Sequence, residues 1–142
     1  MRLLLKRRYT PRGTPGRLYL GHRPLCLMRE APKACFGREH SCLEEGVYEL
    51  SPEYTEEAGW MIRVGEQGGI KSLGPDQPPT SGIMAPVTSY RADGTPLFTR
   101  LAFQRLLDEL GCWWERGEVV ELQVVSVGVP YRLESCRIAS FY

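Results

Sequence analysis

The stretch TRLAFQRLLDELGCW, residues 99–113, is the one segment of this chain whose apolar residues recur at helical spacing. Its apolar stripe falls at positions i, i+3, i+4 and i+7 of a helix, and it consists of Phe103, Leu106, Leu107 and Leu110. Thr99 is a suitable N-cap residue, and Gly111 is suitable for the helix end. The pattern predicts one helix over about residues 99–111, packed through this stripe.

The segments on either side of this helix are short, apolar or alternating, and separated by turns rich in glycine and proline. Such runs are typical of β-strands joined by tight turns. Before the helix we expect strands near residues 2–10, 17–20, 25–30, 46–54, 60–65, 69–73 and 83–90. After it, GEVVELQVVSV (117–127) and YRLESCRIASFY (131–142) predict a C-terminal β-hairpin.

Length and composition indicate one domain spanning residues 1–142. The chain is 42% hydrophobic and 25% charged, as is usual for a soluble globular domain. The expected fold is a β-rich α+β domain, formed by a mostly antiparallel sheet or small barrel with one packed helix and the C-terminal hairpin.

Charge is nearly balanced overall but uneven along the chain. The net charge of +1 gives no general case for nucleic acid or an anionic membrane as the main partner. Residues 1–17 nevertheless hold six basic residues and no acidic one, whereas residues 41–60 hold six glutamates and no basic residue. Two solvated strand surfaces explain this pattern, and so does a basic arm that contacts an anionic partner through Arg7 and Arg8.

No targeting or membrane segment is apparent in the sequence. The apolar run at residues 3–5 is shorter than the about 7 to 15 residues of a signal-peptide core. No stretch approaches the roughly 20 apolar residues of a membrane span. We therefore expect synthesis in the cytoplasm without a signal peptide, which is compatible with later incorporation into a virion or other particle.

The octapeptide CFGREHSC, residues 35–42, holds one of the two histidines and two of the five cysteines. Structural zinc sites commonly use two closely spaced ligand pairs, and no C-x-x-C occurs in this chain. Cys35, His40 and Cys42 are therefore only weak candidates for a metal site or for a Cys/His nucleophilic pair. A loop explains the stretch better, and we expect no metal and no cofactor.

Aromatic residues late in the chain are candidate contacts for a protein partner. Trp113 and Trp114 are adjacent, so we expect one in the core and the other at an interface, where tryptophan is a good anchor. Tyr142 ends the sequence. With Arg7 and Arg8, these three residues are the predicted partner-binding set, and a homo-oligomer or larger assembly is the expected setting.

The order of several short motifs resembles a small bacterial and phage domain family of unknown function. The motifs cover about residues 3–110 and are GRLYL, LCLMRE, CLEEGVYELSPEY, a loop with TSG, and TRLAFQRLLDEL. In the family, I-H-x-G-N and T-x-G-C-I motifs look like the nucleophile pattern of cysteine transpeptidases that act on peptidoglycan. In this chain Leu73 and Ile83 take the His and Cys positions, and neither side chain can accept a proton or attack a carbonyl.

The resemblance implies a family-like core over residues 1–110, to which residues 117–142 add a β-hairpin. With the catalytic positions lost, the leading hypothesis is a non-enzymatic structural or interaction protein, as a component of a phage particle or contractile injection-type assembly. One alternative is a peptidoglycan-directed cysteine enzyme. A weaker alternative is a nucleic-acid-binding module that uses the basic N-terminal arm.

Overall fold

The computed structural model describes residues 1–33 and 41–127. Cys35, His40, Tyr142 and the second strand of the expected C-terminal hairpin lie outside these ranges. The elements are β1 (Arg2–Arg7), β2 (Gly16–Leu20), β3 (Arg23–Arg29), β4 (Gly46–Thr55), β5 (Gly59–Val64), β6 (Gly68–Ile70), β7 (Ile83–Val87), β8 (Ser89–Tyr90), β9 (Pro96–Leu97), α1 (Thr99–Glu115) and β10 (Val120–Ser126).

Eight of these strands close into a barrel in the order β1-β10-β4-β5-β6-β7-β3-β2. Two neighbouring pairs are parallel, β1 with β10 and β6 with β7, and the other pairs are antiparallel. The expected β-rich α+β class is confirmed, and the barrel is mixed in strand direction. β8 and β9 form a separate two-stranded sheet.

β10 is an integral strand of the barrel. It pairs in parallel with β1, from Arg2 opposite Glu121 to Arg7 opposite Ser126, and it pairs antiparallel with β4 on its other side. Without it, β1 and β4 would each present an unpaired edge. Residues 120–126 thus complete the barrel.

The barrel interior is apolar because alternate residues of each strand point inward. Along β1, Leu3 and Leu5 are fully buried, whereas Arg2 and Lys6 are exposed. Burial of one such side chain contributes about 1.5–3 kcal/mol. The other strands supply Leu18, Met28, Leu50, Ile62, Val64, Ile70, Met84, Val120, Leu122 and Val124 to the same cluster.

α1 lies across one end of the barrel. It contacts β3, β7 and β10, and β7 and β10 lie on opposite sides of the closed strand order. Phe103, Leu106 and Leu110 of the predicted stripe join the core cluster, and Leu107 is partly buried against it. The helix therefore closes this end of the barrel with apolar side chains.

The start of α1 differs from the prediction. Thr99 is the first helical residue, and the N-cap is Phe98 in the left-handed region with φ of 54° and no side-chain cap. The Phe98 carbonyl still accepts the N–H of Ala102 at 3.0 Å and the hydroxyl of Thr88 at 3.0 Å. Hydrogen bonds to the Phe98 carbonyl therefore fix the connection from the β8–β9 sheet to α1. No side-chain hydroxyl caps the start of the helix.

The end of α1 also lies later than predicted, because the helix runs through Gly111 to Glu115. The N–H groups of Gly117 and Glu118 donate to the carbonyls of Trp114 and Trp113 at 2.9 and 3.1 Å, and Gly117 has φ of 77°. This is a Schellman motif with Gly117 at the left-handed position. A mid-helix glycine costs about 1 kcal/mol, which the packing of the two tryptophans against the core offsets.

We expect Leu122→Ala to lower the free energy of unfolding by about 2–5 kcal/mol, because this fully buried side chain lies in the barrel core. Leu3→Ala on the neighbouring strand should cost a similar amount. Val127→Ala is the matched control, since Val127 is 50% exposed and should change stability by less than about 0.5 kcal/mol. Urea unfolding measures all three. A loss at Leu122 no larger than at Val127 would show that β10 does not unfold with the barrel.

Candidate functional site

The end of the barrel opposite α1 contains a buried ion pair. Arg7, the last residue of β1, continues the inward alternation of Leu3 and Leu5. Its Nη1 lies 2.9 Å from Oε1 of Glu30, and both side chains are 0% exposed. Arg7 Nη2 also donates to the Tyr9 hydroxyl at 3.1 Å, and that hydroxyl donates to Glu45 at 3.2 Å. A hydrogen-bonded chain thus runs from the interior to a surface carboxylate.

The two arginines that were predicted to contact a partner, Arg7 and Arg8, lie in different environments. Arg7 is 1% exposed, so its guanidinium is used inside the protein and is not presented to a partner. Arg8, the next residue, is exposed. Strand alternation explains the difference, because adjacent residues of a strand point to opposite faces.

Burial changes the acid–base properties of Glu30. It raises the pKa of this carboxyl to about 7, even though Arg7 favours the charged form. The carboxyl is therefore held near its titration point at neutral pH by the low-dielectric interior. Among the described residues, Glu30 is the acidic side chain that lies within ion-pair distance of Arg7.

The cysteines within the described ranges do not have the environment of a nucleophile. Burial raises the pKa of the Cys42 thiol, although a Thr14 hydrogen bond opposes this. Burial also raises the pKa of Cys26 to about 12. Nucleophilic thiols need a lowered pKa. Cys112 is exposed on α1.

A cavity of about 540 Å³ opens beside Cys42 at this end of the barrel. It is lined by Ser41, Cys42, Leu43, Glu44, Tyr48, Glu66, Gln67, Ser81 and Gly82. Two hydrogen bonds lie along it, since Tyr48 donates to the Glu44 carbonyl at 2.6 Å and Ser81 Oγ accepts the Ser41 N–H at 3.1 Å. Among the described residues, no histidine, lysine or arginine lines this cavity. The groups of its described lining that could act as a base are the carboxylates of Glu44 and Glu66.

The two positions that the resemblance assigns to lost catalytic residues have structural roles here. Leu73 is 8% exposed. Ile83 begins β7, where it lies opposite Gly69 of β6 in the parallel pair. Both side chains are apolar, and neither can supply proton transfer or nucleophilic attack.

The weak metal candidates cannot be assembled from the described residues. Within 1–33 and 41–127, no group of three or more His, Cys, Asp and Glu side chains is arranged to hold a metal ion. Cys42 is buried among Thr14, Arg7 and Glu30. Cys35 and His40 lie outside the described residues.

The predicted tryptophan contacts both serve packing. Trp113 and Trp114 are partly buried against the barrel core, where one in the core and one at an interface were expected. Trp114 Nε1 donates to the Leu50 carbonyl at 3.2 Å, and the Arg116 guanidinium lies 5.4 Å from the centre of the Trp113 ring. Both rings therefore help to hold α1 against the barrel.

A hairpin formed by β4 and β5 projects beyond the barrel, and sequence reasoning missed its importance. β10 pairs with β4 no further than Leu50, and β6 pairs with β5 only from Ile62 onward. Residues 51–55 and 59–61 therefore pair only with each other among the described strands. We call residues 51–61 the projecting hairpin. No described strand pairs with either of its two outer backbone edges.

The projecting hairpin has an exposed aromatic pair among carboxylates. Tyr54 and Trp60 lie opposite each other, with ring centres 5.2 Å apart and 57% and 51% of their surfaces exposed. Glu53, Glu56 and Glu57 flank them. The sequence contained one indication, because Tyr54 and Trp60 are equally spaced about the turn TEEAG.

The opposite charge gathers in a groove on the outer face of β1 and β2. This groove measures about 420 Å³ and includes Lys6, Arg8, Arg17, Tyr19 and Tyr90 in its lining. We call these five residues the basic groove. Lys6 lies directly opposite Arg17 in the antiparallel pair, and Lys6 Nζ lies 5.5 Å from the centre of the Tyr19 ring.

Comparison with known proteins gives no relative for this chain. No family model matches the sequence, no curated protein matches it, and no solved structure matches the fold. Within residues 1–33 and 41–127, no helix is long and apolar enough to cross a membrane. The function is therefore argued from the chain's own surfaces.

Thiol labelling should separate the cysteines by environment. We expect Cys112 to react with a maleimide near neutral pH at least about tenfold faster than Cys26 or Cys42, because burial disfavours the reactive thiolate. Mass spectrometry of the labelled peptides measures each site. Labelling in urea is the control, where the three rates should converge. Fast labelling of Cys42 in the folded protein would instead favour the cysteine-enzyme alternative.

Stability should depend on pH through Glu30. Its pKa is about 7 in the folded protein, above the ordinary value of 4.5, so the folded state binds the proton more tightly than the unfolded state. The contribution of Glu30 is full below about pH 4.5 and is lost as pH rises through 7. We expect the urea midpoint to fall between pH 5 and pH 8, and Glu30→Gln to flatten this slope. An unchanged slope in Glu30→Gln would exclude this carboxyl as the cause.

Proposed function

We propose that this chain is a non-enzymatic structural protein that assembles with further copies of itself through the projecting hairpin. The observation that carries the proposal is the extension of residues 51–61 beyond the barrel, with outer backbone edges that no described strand pairs with and an exposed Tyr54–Trp60 pair. Open strand edges pair readily with other chains. Natural proteins usually cover or blunt such edges, so an exposed one that bears aromatic residues is typical of an interaction surface.

The side chains of the hairpin suit a protein interface. Tyrosine and tryptophan are the residues most often found at energetically dominant contact points. Each ring can bury a large apolar area and still hydrogen-bond through its polar atom. The glutamates around Tyr54 and Trp60 keep this surface soluble when it is not covered. The arrangement therefore fits an interaction surface that is exposed before assembly.

The alternative of a peptidoglycan-directed cysteine enzyme has less support from the described residues. It would require a reactive thiol, whereas burial raises the pKa of Cys42. The cavity beside that thiol is lined by carboxylates, hydroxyls and an amide, with no histidine among its described lining. Leu73 and Ile83 supply neither reactive group.

The resemblance to a bacterial and phage domain family supports the setting of this proposal. A phage particle or a contractile injection-type assembly is built from many copies of a few chains, joined by repeated contacts. A small barrel with a projecting hairpin suits such a role because the barrel holds the hairpin rigidly. Incorporation in a virion or other particle is the localisation that we propose.

Light scattering over a concentration series tests the proposal. We expect the mass to rise above the 16.1 kDa of the single chain as concentration increases. Tyr54→Ser with Trp60→Ser should raise the apparent dissociation constant by a factor of roughly thirty, the equivalent of about 2 kcal/mol.

The matched control replaces two exposed apolar residues near the start of α1, Phe98→Ser and Leu101→Ser, whose side chains are 64% and 44% exposed. This variant should associate as the unchanged protein does. A protein that stays monomeric at every concentration would contradict the proposed function. Equal weakening by both variants would show that association is general apolar adhesion.

A further inference from the structure

We infer that the surface which receives the projecting hairpin is the basic groove of a second copy, so that copies join head-to-tail. This inference rests on the proposed function and names the other half of the contact. The groove is formed by the outer faces of β1 and β2, and the hairpin by the ends of β4 and β5. One chain therefore carries both an acidic, aromatic projection and a basic, aromatic recess.

The described residues supply no counter-charge to the basic groove. Arg2 pairs with Glu121 and Arg7 with Glu30, at 3.1 and 2.9 Å. No carboxylate of the described residues lies within ion-pair distance of Lys6, Arg8 or Arg17.

The register of β1 and β2 increases the positive charge at this place. Lys6 and Arg17 are exposed and directly opposite each other, and like charges in that relation destabilise a sheet. Carboxylates from another molecule would relieve this repulsion.

The groove also has the shape and apolar surface to receive side chains. Leu27, Tyr19 and Tyr90 form its walls. A second cavity of about 670 Å³ continues it, sharing Pro15 and Tyr90 and adding Arg12, Arg29 and two acidic residues, Asp76 and the buried Glu30. The two cavities together therefore hold more basic than acidic side chains.

The projecting hairpin has the complementary groups. Glu56 and Glu57 lie in its turn and are exposed. Glu53 is paired with Arg63 at 4.0 Å, the longest of the ion pairs among the described residues. The rings of Tyr54 and Trp60 can stack on guanidinium groups while the carboxylates bind them from the edge. Arg8 and Arg17 offer these groups in the basic groove.

The topology places the two surfaces at opposite ends of the barrel. β4 runs antiparallel to β10, and β10 runs parallel to β1. The projecting end of β4 therefore lies near the start of β1, whereas Lys6 and Arg8 lie at or beyond its other end. The projecting hairpin therefore cannot reach the groove of its own chain, so the contact generates an open chain or a ring of copies.

Symmetric pairing of two hairpins is the main competing arrangement between copies. It would bring Glu53, Glu56 and Glu57 of one copy against the same residues of the other. Like charges held together across an interface are unfavourable by several kcal/mol in general. It would also leave Lys6 and Arg17 without a counter-charge. The head-to-tail contact satisfies both surfaces at once.

Charge reversal in the full-length protein tests the pairing. The groove variant is Lys6→Glu with Arg17→Glu, and the hairpin variant is Glu56→Lys with Glu57→Lys. Each should raise the apparent dissociation constant for self-association at least about tenfold. An equimolar mixture of the two variants should associate again, and so should the chain that carries all four changes. Circular dichroism confirms that each variant folds.

The matched control for the groove variant is Arg100→Glu with Arg105→Glu, which reverses two exposed charges on α1. It changes the net charge equally and should leave association unaltered. Salt offers a second readout, because contacts between exposed charges weaken as the screening length falls to about 3 Å near 1 M salt. Association of the unchanged protein should therefore weaken with salt, and that of the Tyr54/Trp60 variant should stay weak throughout.

The outcomes distinguish this inference from the proposed function. Self-association that neither charge variant alters, or that their mixture does not restore, overturns the head-to-tail contact and leaves assembly through the hairpin standing. A monomer under all conditions overturns both. Binding of a single-stranded oligothymidylate that is lost in the groove variant, with self-association unchanged, assigns the groove to a polyanion and also overturns the inference. Restored association in the mixture, with an inert control, supports it.

Discussion

The structure depends on the pairing of β10 between β1 and β4, which closes the barrel. This contact joins the first strand of the chain to a strand that begins at residue 120. Closure gives every barrel strand two neighbours, so that the inward side chains meet in one apolar cluster. The cost is loop-closure entropy over almost the whole described chain. Burial of Leu122 and Val124 beside Leu3 and Leu5 offsets this cost.

Closure also creates two unlike ends. α1 covers one end with apolar side chains, and the Arg7–Glu30 pair occupies the other. A buried ion pair adds little net stability when both partners are present, but removing one partner leaves a charge in a low-dielectric interior. Arg7 and Glu30 therefore depend on each other at this end of the barrel, and replacing either one alone is expected to be unfavourable. Tyr9 connects the pair to the surface through its hydroxyl.

The exterior of the barrel separates charge in a way that the net charge of +1 conceals. Basic residues gather along β1 and β2, and carboxylates gather on the projecting hairpin. This separation follows the sequence, in which residues 1–17 hold the bases and residues 41–60 the glutamates. The barrel holds the two surfaces apart, and the proposed assembly would bring them together between copies. Near Cys42, by contrast, the thiol itself is buried.

Local patterns in the sequence determined the parts of this protein that depend on near neighbours in the chain. The spacing of Phe103, Leu106 and Leu110 determined one helix and its buried face, and the alternation along residues 2–7 and 46–50 determined strands and a β-rich class. Turn glycines such as Gly21 marked the hairpins correctly. These features follow from backbone geometry over a few residues, which the order of amino acids specifies directly.

Only the tertiary structure decided the features that depend on distant partners. The sequence could not reveal that β10 lies beside β1, that Arg7 turns inward to Glu30, or that β10 and β6 stop short of residues 51–61. The local pattern also predicted that α1 ends at Gly111, whereas the helix continues to Glu115. Local propensity does not include the core contacts that Trp113 and Trp114 make. The physical reason is the same in each case: pairing between residues far apart is chosen by the burial and charge balance of the whole barrel, and no local period records that balance.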